Sequence, residues 1–272
     1  MPTAAGLHYF LHEGGGTTKP PIILLHGAGG DHLSWPPEAR RLHGFRVFTL
    51  DLPGHGKSEG PGLQSVEDYA RSVLEFVNTI QLSRAVFFGH CMGGAIALKL
   101  GLDHPNRVAG LGLISTGARL PVLSSILENA ANTSTFPLAL NELIEISFGP
   151  QAPASLKVTT LKRLSAIRQT SLYGDLIACD RFDVSDRLDT LWNIRPEPST
   201  LNARDEMPVL VMCGTDDKLT PVHFSETLAS RIPGAALQIL DEASHMLILE
   251  QPQRLAKLMS VFLATIPYFP GM

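Results

Sequence analysis

Cys91 lies in Gly89-His90-Cys91-Met92-Gly93-Gly94, with glycines two positions before and two positions after it. Small residues at that spacing permit a sharp turn whose central residue takes a strained backbone and lifts its side chain clear of the chain. A thiol presented in this way is a nucleophile for acyl transfer. Such a nucleophile needs a base, and the base needs a group that orients it. Of the ten histidines, His245, in Asp241-Glu242-Ala243-Ser244-His245, is the candidate base. The candidate acid lies in Gly214-Thr215-Asp216-Asp217: Asp217 is chosen and Asp216 is the alternative. The order along the chain is nucleophile, acid, base.

Acyl transfer also builds negative charge on an oxygen, which backbone N–H groups can hold. One candidate donor is the N–H of Met92, at the start of the helix expected after the turn. The other is the N–H of Ala28, in the glycine-rich run His26-Gly27-Ala28-Gly29-Gly30.

These groups need elements that bring them together. Short apolar runs that stop at turn residues read as buried parallel strands: 22–25, 46–50, 85–88, 108–114, 209–213 and 237–240. Helices are expected between them at 65–80, 92–103, 221–232 and 253–265. Ser65 is the expected N-cap of the first, with Asp68 three positions on and Val66, Tyr69, Val73, Phe76, Val77 and Ile80 on one face. Pro105 ends the second. Strands alternating with helices indicate an α/β fold with a parallel sheet, whose carboxyl strand ends gather catalytic groups. Cys91, Asp217, His245 and the 26–30 run all follow strands. Residues 6–13 are expected as an added antiparallel edge strand. Residues 118–203 contain helical stretches at 123–132, 138–147 and 155–169 and no strong strand. They read as a helical cap inserted into a core of residues 1–117 and 204–272.

Other features read as structural. His90 is expected to pack within the turn and Cys213 to lie in the core. Cys179, beside Asp180, Arg181 and Asp183, is expected on a solvated face. Leu143, Ile146, Phe148, Leu172 and Phe182 are expected mainly to pack the cap. The side chains of Asp51-Leu52-Pro53-Gly54-His55-Gly56-Lys57-Ser58 are expected to shape a turn.

Composition narrows the function. The chain is 272 residues long, 44% hydrophobic and 18% charged, with 22 basic and 26 acidic residues and a formal net charge of −4. Without a basic cluster, neither nucleic acid nor an anionic membrane surface is expected as a partner. The three cysteines, Cys91, Cys179 and Cys213, form no CxxC pair, so no metal site is expected. No disulfide framework is expected either, which suits a reducing compartment. The N-terminal residues lack a signal-peptide pattern and no apolar run reaches the ~18 residues of a membrane span, so the expected location is cytoplasmic.

The chain resembles the α/β-hydrolase superfamily, and within it the compact cofactor-free esterase and C–C hydrolase-like branch. The resemblance rests on 25–30 (LHGAGG), 51–58 (DLPGHGKS), 89–94 (GHCMGG), 214–217 (GTDD) with Pro221, and Ser244-His245 followed by Glu250-Gln251-Pro252. It implies an α/β-hydrolase fold with a helical cap, a triad at Cys91, His245 and Asp217, oxyanion donors at Ala28 and Met92, and no cofactor. Most members have serine where this chain has Cys91; dienelactone hydrolases are a related branch with cysteine there. The expected activity is hydrolysis of a carboxylic ester, lactone or thioester of a small-molecule acyl substrate, through a covalent acyl-enzyme. Acyl transfer to an alcohol or amine, C–C bond hydrolysis and a non-catalytic receptor or scaffold are the alternatives.

Overall fold

The computed structural model describes residues 2–14, 19–191 and 207–266. Eight strands form one sheet: β1 (Thr3–Ala4), β2 (Leu7–His12), β3 (Ile22–Leu25), β4 (Val47–Leu50), β5 (Ala85–His90), β6 (Val108–Ile114), β7 (Val209–Gly214) and β8 (Ala236–Leu240). Their order is β1-β2-β4-β3-β5-β6-β7-β8. β1 and β2 are antiparallel to their neighbours; every pairing from β4 to β8 is parallel. This is an α/β-hydrolase fold.

Alternation along the strands explains the layering. Ile23, Leu25 and Phe87 point into one apolar layer, while Ile22, Leu24, Val86 and Phe88 point into the other. Helices α2 (Val66–Thr79), α3 (Met92–Asp103) and α8 (Val222–Arg231) contribute to the first layer. Helices α1 (Pro37–Arg40), α9 (Leu247–Glu250) and α10 (Pro252–Thr265) contribute to the second. Strands covered on both faces are buried at nearly every position, so they read as unbroken apolar runs.

At α2, Ser65 Oγ accepts the N–H of Asp68 at 3.1 Å. The Asp68 carboxylate does not reach back to the Ser65 amide as a longer Glu does; it takes the Ser65 hydroxyl at 2.7 Å.

Between β6 and β7 lie α4 (Ser124–Ala131), α5 (Phe136–Ser147), α6 (Ala154–Leu164) and α7 (Gln169–Arg181). They share a small core of Ile126, Ala130, Ala139, Leu140, Leu172 and Leu176. The boundary expected at residues 203 and 204 falls outside the described residues. Two expectations change here. The helix expected over 155–169 stops at Leu164, where Ser165 turns its hydroxyl back to the Leu161 carbonyl at 2.8 Å. A further helix, α7, follows. Its buried positions include Gly174 and Asp175, which interrupt an apolar stripe. Among the described residues no helix is long and apolar enough to cross a membrane.

Candidate active site

The turn between β5 and α3 puts Cys91 at φ 52° and ψ −118°, a conformation that L-residues adopt at a cost of roughly 1–3 kcal/mol. The surroundings enforce it. A Cβ on Gly89 would lie 2.0 Å from the Gly93 carbonyl oxygen, and one on Gly93 would lie 2.2 Å from that of Leu25. The Cys91 N–H donates to the Ile114 carbonyl at 2.9 Å, and the Thr116 hydroxyl donates to the Cys91 carbonyl at 2.9 Å. Cys91 is half-buried, and its side chain borders a cavity.

Asp217 follows the carboxyl end of β7. Its Oδ1 accepts the N–H groups of Leu219 and Thr220 at 2.9 and 2.8 Å, and its Oδ2 accepts the Thr220 hydroxyl at 2.7 Å. Both oxygens face Nδ1 of His245, at 3.2 and 3.1 Å. That leaves Nε2 as the ring nitrogen open to Cys91, which borders the same cavity as His245. Burial alone would push the His245 imidazole down. The Asp217 carboxylate and the Cys91 sulfur outweigh it and hold the group well above its ordinary value. Burial would raise Asp217, but the His245 ring and the Thr220 donors hold it below the usual carboxylate range. Of the two aspartates left open by the sequence, the structure brings Asp217 to His245; the Asp216 side chain faces Gly149 instead.

His90 is buried, and its Nε2–H donates to the His245 carbonyl at 2.8 Å. Burial and the neighbouring His245 push it down to about 3, so it is a neutral support for the His245 backbone. Ala28 borders the same cavity as Cys91. The N–H groups of Ala28 and Met92 have no hydrogen-bond acceptor among the described residues.

Two supporting residues have no role assigned in the sequence reading, although Glu250 belongs to one of its matching stretches. Thr220 bridges the acid and the base, sitting 3.3 Å from His245 Nδ1. Glu250 accepts the Ser244 N–H at 2.6 Å, the Ser244 hydroxyl at 2.8 Å and the Gly149 N–H at 3.1 Å, so it ties the His245 loop to the chain after α5. The sequence signals are the closeness of Thr220 to Asp217 in the chain and the Glu250-Gln251-Pro252 stretch after His245. The contacts themselves are long-range.

The cavity measures about 160 Å³. Apolar side chains dominate its wall, among them Leu120, Val122, Leu143, Ile144, Leu172 and Leu176. A charged pair, Arg163 and Asp31, also borders it. A cavity near 150 Å³ accommodates a benzene-sized molecule. Of the five insertion residues expected mainly to pack, Leu143 and Leu172 line this cavity, whereas Ile146, Phe148 and Phe182 do not. Cys179 is a correction: it is 3% exposed and lines the cavity, because exposed Asp180 and Arg181 project from other faces of α7 and Asp183 lies beyond its end. Burial and the nearby Cys91 push its thiol up. Cys213 is buried in the core.

No metal site is expected from the sequence, yet His8, His32 and Asp51 bring candidate ligand atoms within 4.8 Å of one another. The Asp51 oxygens are already engaged: Oδ2 meets His8 Nδ1 at 2.7 Å and the Lys57 N–H at 3.0 Å, and Oδ1 meets His32 Nδ1 at 2.8 Å and the His32 N–H at 2.6 Å. These bonds hold the Asp51 carboxyl well below its usual range in spite of burial. The cluster is satisfied as a hydrogen-bonded knot that braces the 51–58 turn.

Comparison with known proteins agrees with the fold. The chain is 27% identical over 270 residues to a 2-hydroxymuconate semialdehyde hydrolase of Pseudomonas putida, covering 96% of this chain and 92% of that one. A thermophilic esterase of known structure superposes with a TM-score of 0.77 at 28% identity, covering 97% and 100% of the two chains. The enol-lactonase of Burkholderia xenovorans LB400 superposes with a TM-score of 0.83 at 24% identity, covering 95% and 96%, and shares the fold. The profile of the alpha/beta hydrolase family matches residues 22–258, and the chain belongs to that family.

Proposed function

We propose that this hydrolase cleaves a carboxylic ester, lactone or thioester with a compact apolar acyl group, through a Cys91–His245–Asp217 triad and a covalent acyl-enzyme. The observation that carries the reading is the arrangement at the cavity wall: the His245 ring is held through Nδ1 by Asp217 and lines one cavity with the strained, half-buried Cys91. The Asp217 carboxylate against Nδ1 favours the imidazolium form of His245, the partner a thiolate requires.

In the proposed reaction the Cys91 sulfur forms a bond to the acyl carbon. The carbonyl oxygen takes the displaced electron pair and is held by the N–H groups of Ala28 and Met92. The bond to the leaving group then breaks, and the departing oxygen or sulfur takes the His245 proton. Water next gives a proton to His245 and attacks the thioester. The carbon–sulfur bond breaks, releasing the acid and restoring the Cys91 thiolate beside the His245 imidazolium. The proposed partner is therefore a small-molecule acyl substrate, with water as the acceptor.

The test is product analysis of native protein, Cys91→Ser and Cys91→Ala with aryl esters, alkyl esters, lactones and thioesters. Free acid formed in water by the native protein and not by Cys91→Ala supports hydrolysis. Product that appears only with an added alcohol or amine assigns acyl transfer instead. No turnover of any of the four classes contradicts the proposal.

A further inference from the structure

Asp175 lies on α7, within the insertion between β6 and β7, and is completely buried. Its Oδ2 accepts the N–H of Gly29 at 2.8 Å and meets His55 Nε2 at 2.7 Å; its Oδ1 accepts the Tyr69 hydroxyl at 2.5 Å. The other His55 nitrogen, Nδ1, faces the Pro53 carbonyl at 3.0 Å, so both ring nitrogens face acceptors and the ring serves as a two-donor imidazolium. Burial opposes that charge, but the Asp175 carboxylate outweighs it and raises the group. The Tyr69 hydroxyl in turn accepts the Leu63 N–H at 2.9 Å. One carboxylate thus joins the insertion, the 51–63 turn and the 26–30 run.

Gly29 is the critical contact. It is left-handed, at φ +66°, and a Cβ there would lie 2.4 Å from Leu164 Cδ1 and 3.0 Å from Leu172 Cδ1. The insertion covers this glycine closely, and Asp175 fixes its amide. Holding the Gly29 N–H fixes the Ala28–Gly29 peptide plane. Through the Ala28 Cα it also restrains the preceding plane, which carries the Ala28 N–H.

We infer that Asp175 is a positioning residue of the oxyanion loop: its carboxylate locks the Gly29 amide so that the Ala28 N–H is held at the cavity wall beside Cys91. This rests on the acyl-hydrolase reading above, in which Ala28 is an oxyanion donor. Asp175 is not among the residues that line the cavity. It acts from the same helix whose Leu172, Leu176 and Cys179 line the cavity, so helix placement and donor placement are coupled.

The test compares native protein, Asp175→Asn and Tyr69→Phe with two reagents that attack the same sulfur. A single turnover of 4-nitrophenyl acetate passes through an oxyanion; alkylation of Cys91 by iodoacetamide, followed on the Cys91 peptide, does not. Asparagine offers one accepting oxygen to three donors, so the Gly29 amide loses its fixed partner. Asp175→Asn is expected to slow acylation roughly 10- to 100-fold, less than outright removal of an oxyanion donor, and to leave alkylation within about 2-fold. Tyr69→Phe keeps the Gly29 contact and is expected to change acylation less than about 3-fold. Should Asp175→Asn fail to fold, the double variant Asp175→Asn/His55→Gln leaves no unpaired buried charge and is expected to show the same split. Acylation and alkylation falling together, or neither falling, overturns the inference. Hydrogen exchange over residues 27–30 is the arm that needs no substrate. It is expected to quicken in Asp175→Asn, and unchanged exchange overturns the inference. A native protein that is alkylated but not acylated overturns the acyl-hydrolase reading instead, and faster exchange in the variant still assigns the lock to Asp175.

Discussion

Asp217 meets the His245 ring with both carboxylate oxygens, 3.1 and 3.2 Å from Nδ1, while two amides and the Thr220 hydroxyl hold the carboxylate from behind. The charge on Asp217 orients the imidazole and favours its protonated form. Asp217→Asn keeps the shape and removes that charge. It is expected to lower kcat for an aryl ester on the order of 10²- to 10⁴-fold, measured at saturating substrate. Asp216→Asn is expected to stay within about 2-fold, since Asp216 faces Gly149. Equal losses in the two variants would contradict the assignment of Asp217.

The same pair sets a pH dependence of stability. His245 is raised in the folded state above its ordinary 6.5, so its stabilisation is complete below that value and is lost as pH rises through the folded-state value. Asp217 is lowered, so its stabilisation is present above the ordinary carboxylate value of 3.8 and is lost as pH falls below it. Urea midpoints are therefore expected to decline on the alkaline side in native protein, and to decline less in His245→Gln. Parallel alkaline curves for the two proteins would show that His245 is not raised.

Sulfur chemistry gives a substrate signature. A thiolate leaves more readily than an alkoxide, so a tetrahedral adduct from an alkyl ester collapses backward. Acylation is expected to be faster with aryl or enol esters, enol lactones and thioesters than with alkyl esters. In Cys91→Ser the advantage of aryl over alkyl esters is expected to shrink. Rates that stay flat across a graded leaving-group series, with acylation rate-limiting, count against the cysteine mechanism.

Much of this was legible in local sequence. The spacing of Gly89, Cys91 and Gly93 announces the strained turn because backbone sterics act within a few residues. The unbroken apolar runs announce the parallel strands because burial on both faces erases alternation. What stayed hidden depends on distant partners. Helix α7 was missed because Asp175 buries a charge for the sake of Gly29 and His55, each over 100 residues away, and so breaks the apolar stripe. Cys179 was misplaced because its neighbours in sequence point away from the cavity it lines. Thr220 carries no motif of its own, and the stretch that contains Glu250 does not announce its contacts; both roles come from where the loops meet.

Glu250 offers a stability test of one such contact. Glu250→Ala removes the acceptor of the Ser244 and Gly149 amides and loosens the loop that carries His245. It is expected to cost about 1–3 kcal/mol in urea unfolding and to lower kcat with it. Glu250→Gln keeps an acceptor and is expected to recover most of both. A neutral Glu250→Ala would show that the loop is held by its packing alone.

The central claim is a covalent acyl group on Cys91, and intact mass spectrometry of protein mixed with an activated aryl ester tests it most directly. Native protein is expected to gain one acyl group, mapped to the Cys91 peptide and lost again as free acid in water, while Cys91→Ala gains none. An unmodified native protein that nonetheless releases acid, or an adduct that survives in Cys91→Ala, would contradict it.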